Sequence, residues 1–127
     1  MITREITLCG KQVTLGYCYA TEIAYKLYSD EDIEAIIKDI VAAIQEKQMA
    51  DVMRSIYLIL SAVQAYYDSV GQEMPVVDKD IMYASTPLEF STAIGTIIAM
   101  RGEFYHIPSD EPQDKPKKGK AKKTKNA

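Results

Sequence analysis

A chain of 127 residues that is 47% hydrophobic fits one domain with a genuine core and leaves little length for a second. The formal net charge of −3 conceals an asymmetry: residues 112–127 carry seven lysines against one aspartate, a balance of +6, so residues 1–111 hold −9. Two cysteines, Cys9 and Cys18, are too few for a disulfide framework and their spacing fits no zinc or redox motif, so both read as free thiols in a reducing compartment.

The first residues, MITREITL, alternate and carry charge where a signal peptide needs an unbroken apolar stretch. No run reaches the roughly eighteen apolar residues of a membrane span. The expectation is a soluble cytoplasmic protein. Ile6 and Leu8, then Val13, Leu15 and Tyr17, alternate with polar residues on either side of Cys9-Gly10-Lys11, which predicts a β-hairpin. Gly10 suits the positive φ of a tight turn, while Cys9 stands where Asn or Asp is usual. A lone hairpin is marginal in water, so its apolar face must lie on helices or pair with another chain.

From Ala20 the period becomes helical, with Ile23, Ala24 and Leu27 predicted on one face. Ser29-Asp30-Glu31-Asp32 then reads as an N-cap cluster, since it lacks the spaced ligands and central glycine of a calcium loop. An amphipathic helix follows, with Ile33, Ile36, Ile37, Ile40, Val41 and Ile44 as its buried stripe. Asp51 is the candidate cap of the central helix, Asp51 to Val70. Met53, Ile56, Leu60, Val63, Tyr67 and Val70 form one apolar stripe there, Val52, Ile59 and Tyr66 a second. Ser55, Ser61, Gln64 and Asp68 are left for its solvated strip.

Gly71 suits the C-terminal cap of that helix and Met74-Pro75 prevents its resumption. Asp78 is placed to cap a short helix through Tyr83. Thr86-Pro87-Leu88-Glu89 combines a capping hydroxyl, proline at the first helical position and a carboxylate three residues after the cap. The last helix starts there and is expected to fray after Gly102, with Gly95 allowing close approach to the central helix. His106 lies beyond, with no nucleophile or carboxylate pair near it in sequence. The fold class expected is α+β, predominantly helical: a hairpin on a bundle of about four helices over residues 1–106, and a disordered lysine-rich tail over 107–127.

No Gly-rich phosphate loop, metal-ligand cluster or nucleophile with a base stands out, so no catalytic, cofactor or metal site is assigned and an enzyme is not expected. The candidates for interaction are Tyr17, Tyr19, Tyr25 and Tyr28, crowded around the edge of the hairpin, where each ring either joins an interface or completes the core. Lys115, Lys117, Lys118, Lys120, Lys122, Lys123 and Lys125 are candidate tail contacts that could neutralise phosphates without sequence specificity. The tail has no interleaved aromatics or arginines, and the acidic body repels a polyanion.

The stretch Ile6 to Leu15, of the form I-T-L-x-G-K-x-V-T-L, then Gly16-Tyr17, a helical body to about Gly102 and a charged C-terminus together resemble the tail assembly chaperones of long-tailed bacteriophages and prophages. The resemblance implies a non-enzymatic cytoplasmic protein that binds the tape measure protein, keeps its long apolar helices from aggregating and helps recruit tail tube subunits; self-association or partner docking is expected from the unpaired hairpin edge and the tyrosines beside it. It also implies a programmed frameshift near the end of the gene, for which the pairs Lys117-Lys118 and Lys122-Lys123 offer A-rich codons. The alternative from the residues alone is a small helical oligomerising protein that contacts nucleic acid through its lysines.

Overall fold

Two strands, β1 (Ile2–Leu8) and β2 (Lys11–Tyr17), pair antiparallel with Leu8 opposite Lys11 and Ile2 opposite Tyr17, which leaves only Cys9 and Gly10 in the turn. Both turn residues have positive φ, 55° at Cys9 and 74° at Gly10, the pair of left-handed conformations that matches the twist of a two-residue hairpin. Cys9 is thus held in a conformation that glycine or asparagine adopts more cheaply. The predicted alternation is realised: Ile6, Leu8, Val13, Leu15 and Tyr17 are all buried on one face. This computed structural model describes residues 1–107; the lysines expected to make tail contacts lie outside the described residues.

Five helices follow: α1 (Tyr19–Ser29), α2 (Ile33–Glu46), α3 (Val52–Ser69), α4 (Asp78–Ala84) and α5 (Pro87–Tyr105). The protein is an α+β fold dominated by helix, with the hairpin packed on the helical body. α3 is the axis, in contact with β2 on one side and α1 on another. Asp51 caps it, accepting the Arg54 N–H at 3.0 Å. At its other end Gly71, at φ 70°, donates to the Asp68 carbonyl while Gln72 donates to that of Tyr67, the paired bonds of a Schellman cap.

α3 is enclosed more completely than its two apolar stripes predict. Ser55 and Ser61, expected in water, are buried, and each hydroxyl donates to the carbonyl four residues back, at 2.8 and 2.6 Å, so neither polar group is orphaned. Conversely Val52, Met53 and Val70 are exposed, because the body does not cover the ends of the helix. The close approach expected at Gly95 is absent there, since its Cβ position is open space. It occurs instead at Gly16, where a Cβ would stand 3.1 Å from Tyr66 Cβ and 3.2 Å from Tyr66 N, so the lack of a side chain lets β2 lie against the α3 backbone.

The helix starts also separate expectation from outcome. Thr86 and Glu89 cap α5 reciprocally, at 3.1 and 3.0 Å, with Pro87 at its first position. Asp32 stands at the N-cap of α2 without a capping bond; its carboxylate pairs with Lys26 at 3.0 Å, so the acidic cluster works through ion pairs. α4 is capped from Val77, whose N–H donates to Asp80 at 2.8 Å, one residue earlier than expected from Asp78. α5 continues three residues past Gly102 because Phe104 packs on Tyr17, with ring centroids 5.6 Å apart. His106 then closes α5 with φ 55° and is exposed.

Candidate protein-interaction surfaces

The four tyrosines proposed as contacts divide. Tyr17 and Tyr25 are fully buried and complete the core, so they offer no surface to a partner. Tyr17 donates its phenol to Glu22 at 2.7 Å, and burial together with that carboxylate pushes its pKa upward. Tyr25 donates to Glu31, and burial followed by that bond pushes it up to about 12. Tyr19 and Tyr28 face solvent. Tyr28 stacks on Tyr57 with an interplanar angle of 6° and donates to Gln64 at 2.6 Å, while Tyr19 meets Phe104 edge-on at 5.2 Å.

Tyr19 does not stand alone. The face of α1 that packs on α3 consists of Thr21, Ala24 and Tyr25, with Thr21 donating to the Gly16 carbonyl at 2.8 Å. Ile23 and Leu27, expected to share a face with Ala24, point the other way. Tyr19, Ile23 and Leu27 recur every fourth residue, so they form one outward stripe, with 64%, 61% and 81% of their surface exposed. Sequence periodicity grouped Ile23 and Leu27 with Ala24, which instead turns inward, because a buried threonine beside a tyrosine carries a weaker apolar signal than isoleucine and leucine.

A second uncovered patch lies where α2 turns back into α3. Ile33, Ile36, Ile37 and Ile40 are buried as expected, but Val41 and Ile44 are not, Ile44 keeping 68% of its surface in water although it extends the same stripe. Arg54 pairs with Asp39 at 2.6 Å and with Glu31 at 2.8 Å, which brings the start of α3 beside the middle of α2. The chain between Asp39 and Arg54 carries Val41, Ile44, Met49, Val52 and Met53, all exposed. Arg54 hydrogen bonds hold the Glu31 carboxyl below its ordinary pKa.

The third feature is a groove of about 570 Å³ between β1 and α5, walled by Arg4 to Thr7 on the strand and by Leu88, Thr92, Thr96 and Ala99 on the helix. Its two ends are fastened. At one, Arg4 pairs with Glu103 at 2.5 Å. At the other, the Glu89 carboxylate accepts the N–H groups of Cys9 and Gly10, each at 3.1 Å, besides that of Thr86. These backbone donors, Thr86 first, hold its pKa below the ordinary value. One side chain therefore caps α5 and fixes the hairpin turn upon it, a long-range role invisible in a local capping motif.

Tyr105, which shares Glu22 with Tyr17, is pushed up to about 12 chiefly by its 2.6 Å bond to that carboxylate. The Cys9 thiol lies 3.3 Å from the Asp80 carbonyl, and burial raises its pKa, opposite to the shift that makes a thiolate nucleophile. Among the described residues no group of three or more His, Cys, Asp or Glu is placed to hold a metal, and no helix is long and apolar enough to cross a membrane. Comparison with family models, with curated proteins and with solved structures finds no match to this chain.

Proposed function

We propose that the protein is a non-enzymatic cytoplasmic chaperone of tail assembly, of the kind its sequence resembles, which binds apolar helices of a tape measure protein and helps recruit tail tube subunits. The observation that supports this reading is apolar side chains at helical spacing turned to water: Tyr19, Ile23 and Leu27 on α1, and Val41 and Ile44 on α2. Contiguous apolar stripes of this kind suit an amphipathic helix docked by its own apolar face. Met49 and Met53 beside the second patch give it a contact surface able to repack around differing side chains. The same stripes offer a route to self-association.

Co-expression with helical fragments of a tape measure protein tests the proposal. The expected result is that the fragment stays soluble and co-sediments with the wild-type protein, and that Leu27→Asp and Ile44→Asp, both at exposed positions, keep the fold and weaken binding about tenfold or more. A protein that stays monomeric and ignores the fragments, or variants that bind them as the wild type does, would overturn it.

A further inference from the structure

In a hairpin closed by a two-residue turn, hydrogen-bonded and non-bonded pairs alternate from the turn outward. The Leu8–Lys11, Ile6–Val13, Arg4–Leu15 and Ile2–Tyr17 pairs exchange bonds across the hairpin, and Thr3, Glu5 and Thr7 direct their N–H and C=O groups to the outer edge of β1. The same alternation turns Thr14 of β2 outward, where its N–H donates to the Tyr67 hydroxyl at 3.2 Å. The edge of β2 is thus partly occupied by α3. On β1 the Thr3 carbonyl accepts from the Arg4 guanidinium at 2.7 Å, and the outward groups of Glu5 and Thr7 have no partner among the described residues.

That open edge forms one wall of the groove facing α5. Thr92, Thr96 and Ala99 are small, so their side chains leave the space beside the strand edge unfilled over a stripe that is roughly 17 Å long from Leu88 to Ala99. An unpaired strand edge running beside a helix is the arrangement in which an extended peptide adds as a further strand. Ile6 and Met100 supply an apolar floor, and Leu88, 75% exposed, an apolar lip. The charge of the groove is negative: Arg4 is neutralised by Glu103, whereas Glu5 has no ion-pair partner among the described residues and Glu89 meets only N–H donors.

We propose that this groove binds an extended, basic segment of a partner protein, with β-branched residues alternating with lysine or arginine, as a third strand on β1. A second copy of the chain fits less well. A two-fold antiparallel pair sets its central residue against its own copy, so the register centred on β1 brings Glu5 against Glu5. The chain's own residues 108–116 carry prolines at 108, 112 and 116, which lack the N–H groups a ladder needs, and residues 117–127 have Thr124 as their one β-branched residue. This inference stands on the strand edge and its charge, not on the apolar stripes of α1 and α2.

The probe is a display library of randomised short peptides panned on the full chain. The expected result is enrichment of alternating basic and β-branched sequences, and the resynthesised peptide slows amide exchange at Thr3, Glu5 and Thr7. Two variants should weaken it about tenfold or more: Glu5→Pro, which removes an outward N–H that β2 does not use, and Ala99→Trp, which fills the groove from an exposed helical position. Ile44→Asp should bind as the wild type does. No enrichment, or binding indifferent to both groove variants, overturns the proposal. Protection of the same amides by self-association without peptide would identify a second copy as the occupant and overturn it equally.

Discussion

The end of the molecule built from the hairpin, α3 and α5 differs from the end where α2 turns back into α3, although both are rich in apolar residues. At the first, β2 lies on the α3 backbone through Gly16, Phe104 closes over Tyr17, and Glu89 binds the hairpin turn to α5. At the second, the stripe that buries Ile37 and Ile40 runs on into Ile44 with nothing above it. Apolar periodicity is identical on the two sides of that boundary. Only the presence of a neighbour separates core from contact surface, and a neighbour is a property of the fold.

The largest effect expected within the closed end is from Leu60→Ala. Leu60 is buried amid the core on α3, so the truncation should cost about 2 to 5 kcal/mol in chemical denaturation with little change in m value. A loss below about 1 kcal/mol would mean that α3 is not the axis of this core. Gly16→Ala should follow, at about 1 to 3 kcal/mol. Its methyl group would press on the Tyr66 backbone, which cannot step aside as the Met1 side chain can. A neutral result would show that β2 and α3 are not in close contact.

Electrostatics sharpen the contrast less strongly. Glu31, held by Arg54, and Glu89, held by backbone N–H groups, both have carboxyls depressed below the ordinary value of 4.5. A depressed folded pKa gives stability that is present above that ordinary value and lost as pH falls through the lower folded one. Melting temperature should therefore fall below about pH 4.5, and less steeply in Glu31→Gln/Glu89→Gln, whose stability is already reduced at neutral pH. Parallel curves for variant and wild type would rule out these two carboxylates as a source of acid sensitivity.

Much of this organisation was legible in the sequence where one physical signal acts locally. The hairpin alternation, the Asp51 cap, the Thr86–Glu89 capping box and the Gly71 terminator are each written within a few residues, and each is where it was expected. What was not legible depends on distant neighbours. Ser55 and Ser61 lie inside because five elements, β2, α1, α2, α4 and α5, pack around α3, and Ile23 and Leu27 lie outside because Thr21 and Tyr25 take the inner face of α1. Of the candidate tyrosines, Tyr17 and Tyr25 went to the core and Tyr19 and Tyr28 to the surface, a division that spacing alone does not make. The groove along β1 has no local signature, since Arg4 to Thr7 read as an ordinary polar strand until α5 stands beside them.

The finest test sets two isoleucines of one stripe against each other. Ile40 and Ile44 are one helical turn apart on α2 and face the same way, yet Ile40 is buried and Ile44 is not. Ile40→Ala should cost about 2 to 5 kcal/mol as a core truncation. Ile44→Ala should change the stability of the isolated protein by no more than about 0.5 kcal/mol, the ordinary range for an exposed site. Helix propensity strengthens the expectation, because alanine is the better helix former and offsets the little contact that Ile44 makes. Urea denaturation of the two variants at low protein concentration reads both numbers, and repetition at higher concentration reports whether Ile44 acquires a neighbour through association. Equal losses at the two positions would place Ile44 in the core and remove the uncovered patch from which a docking role for α2 is argued.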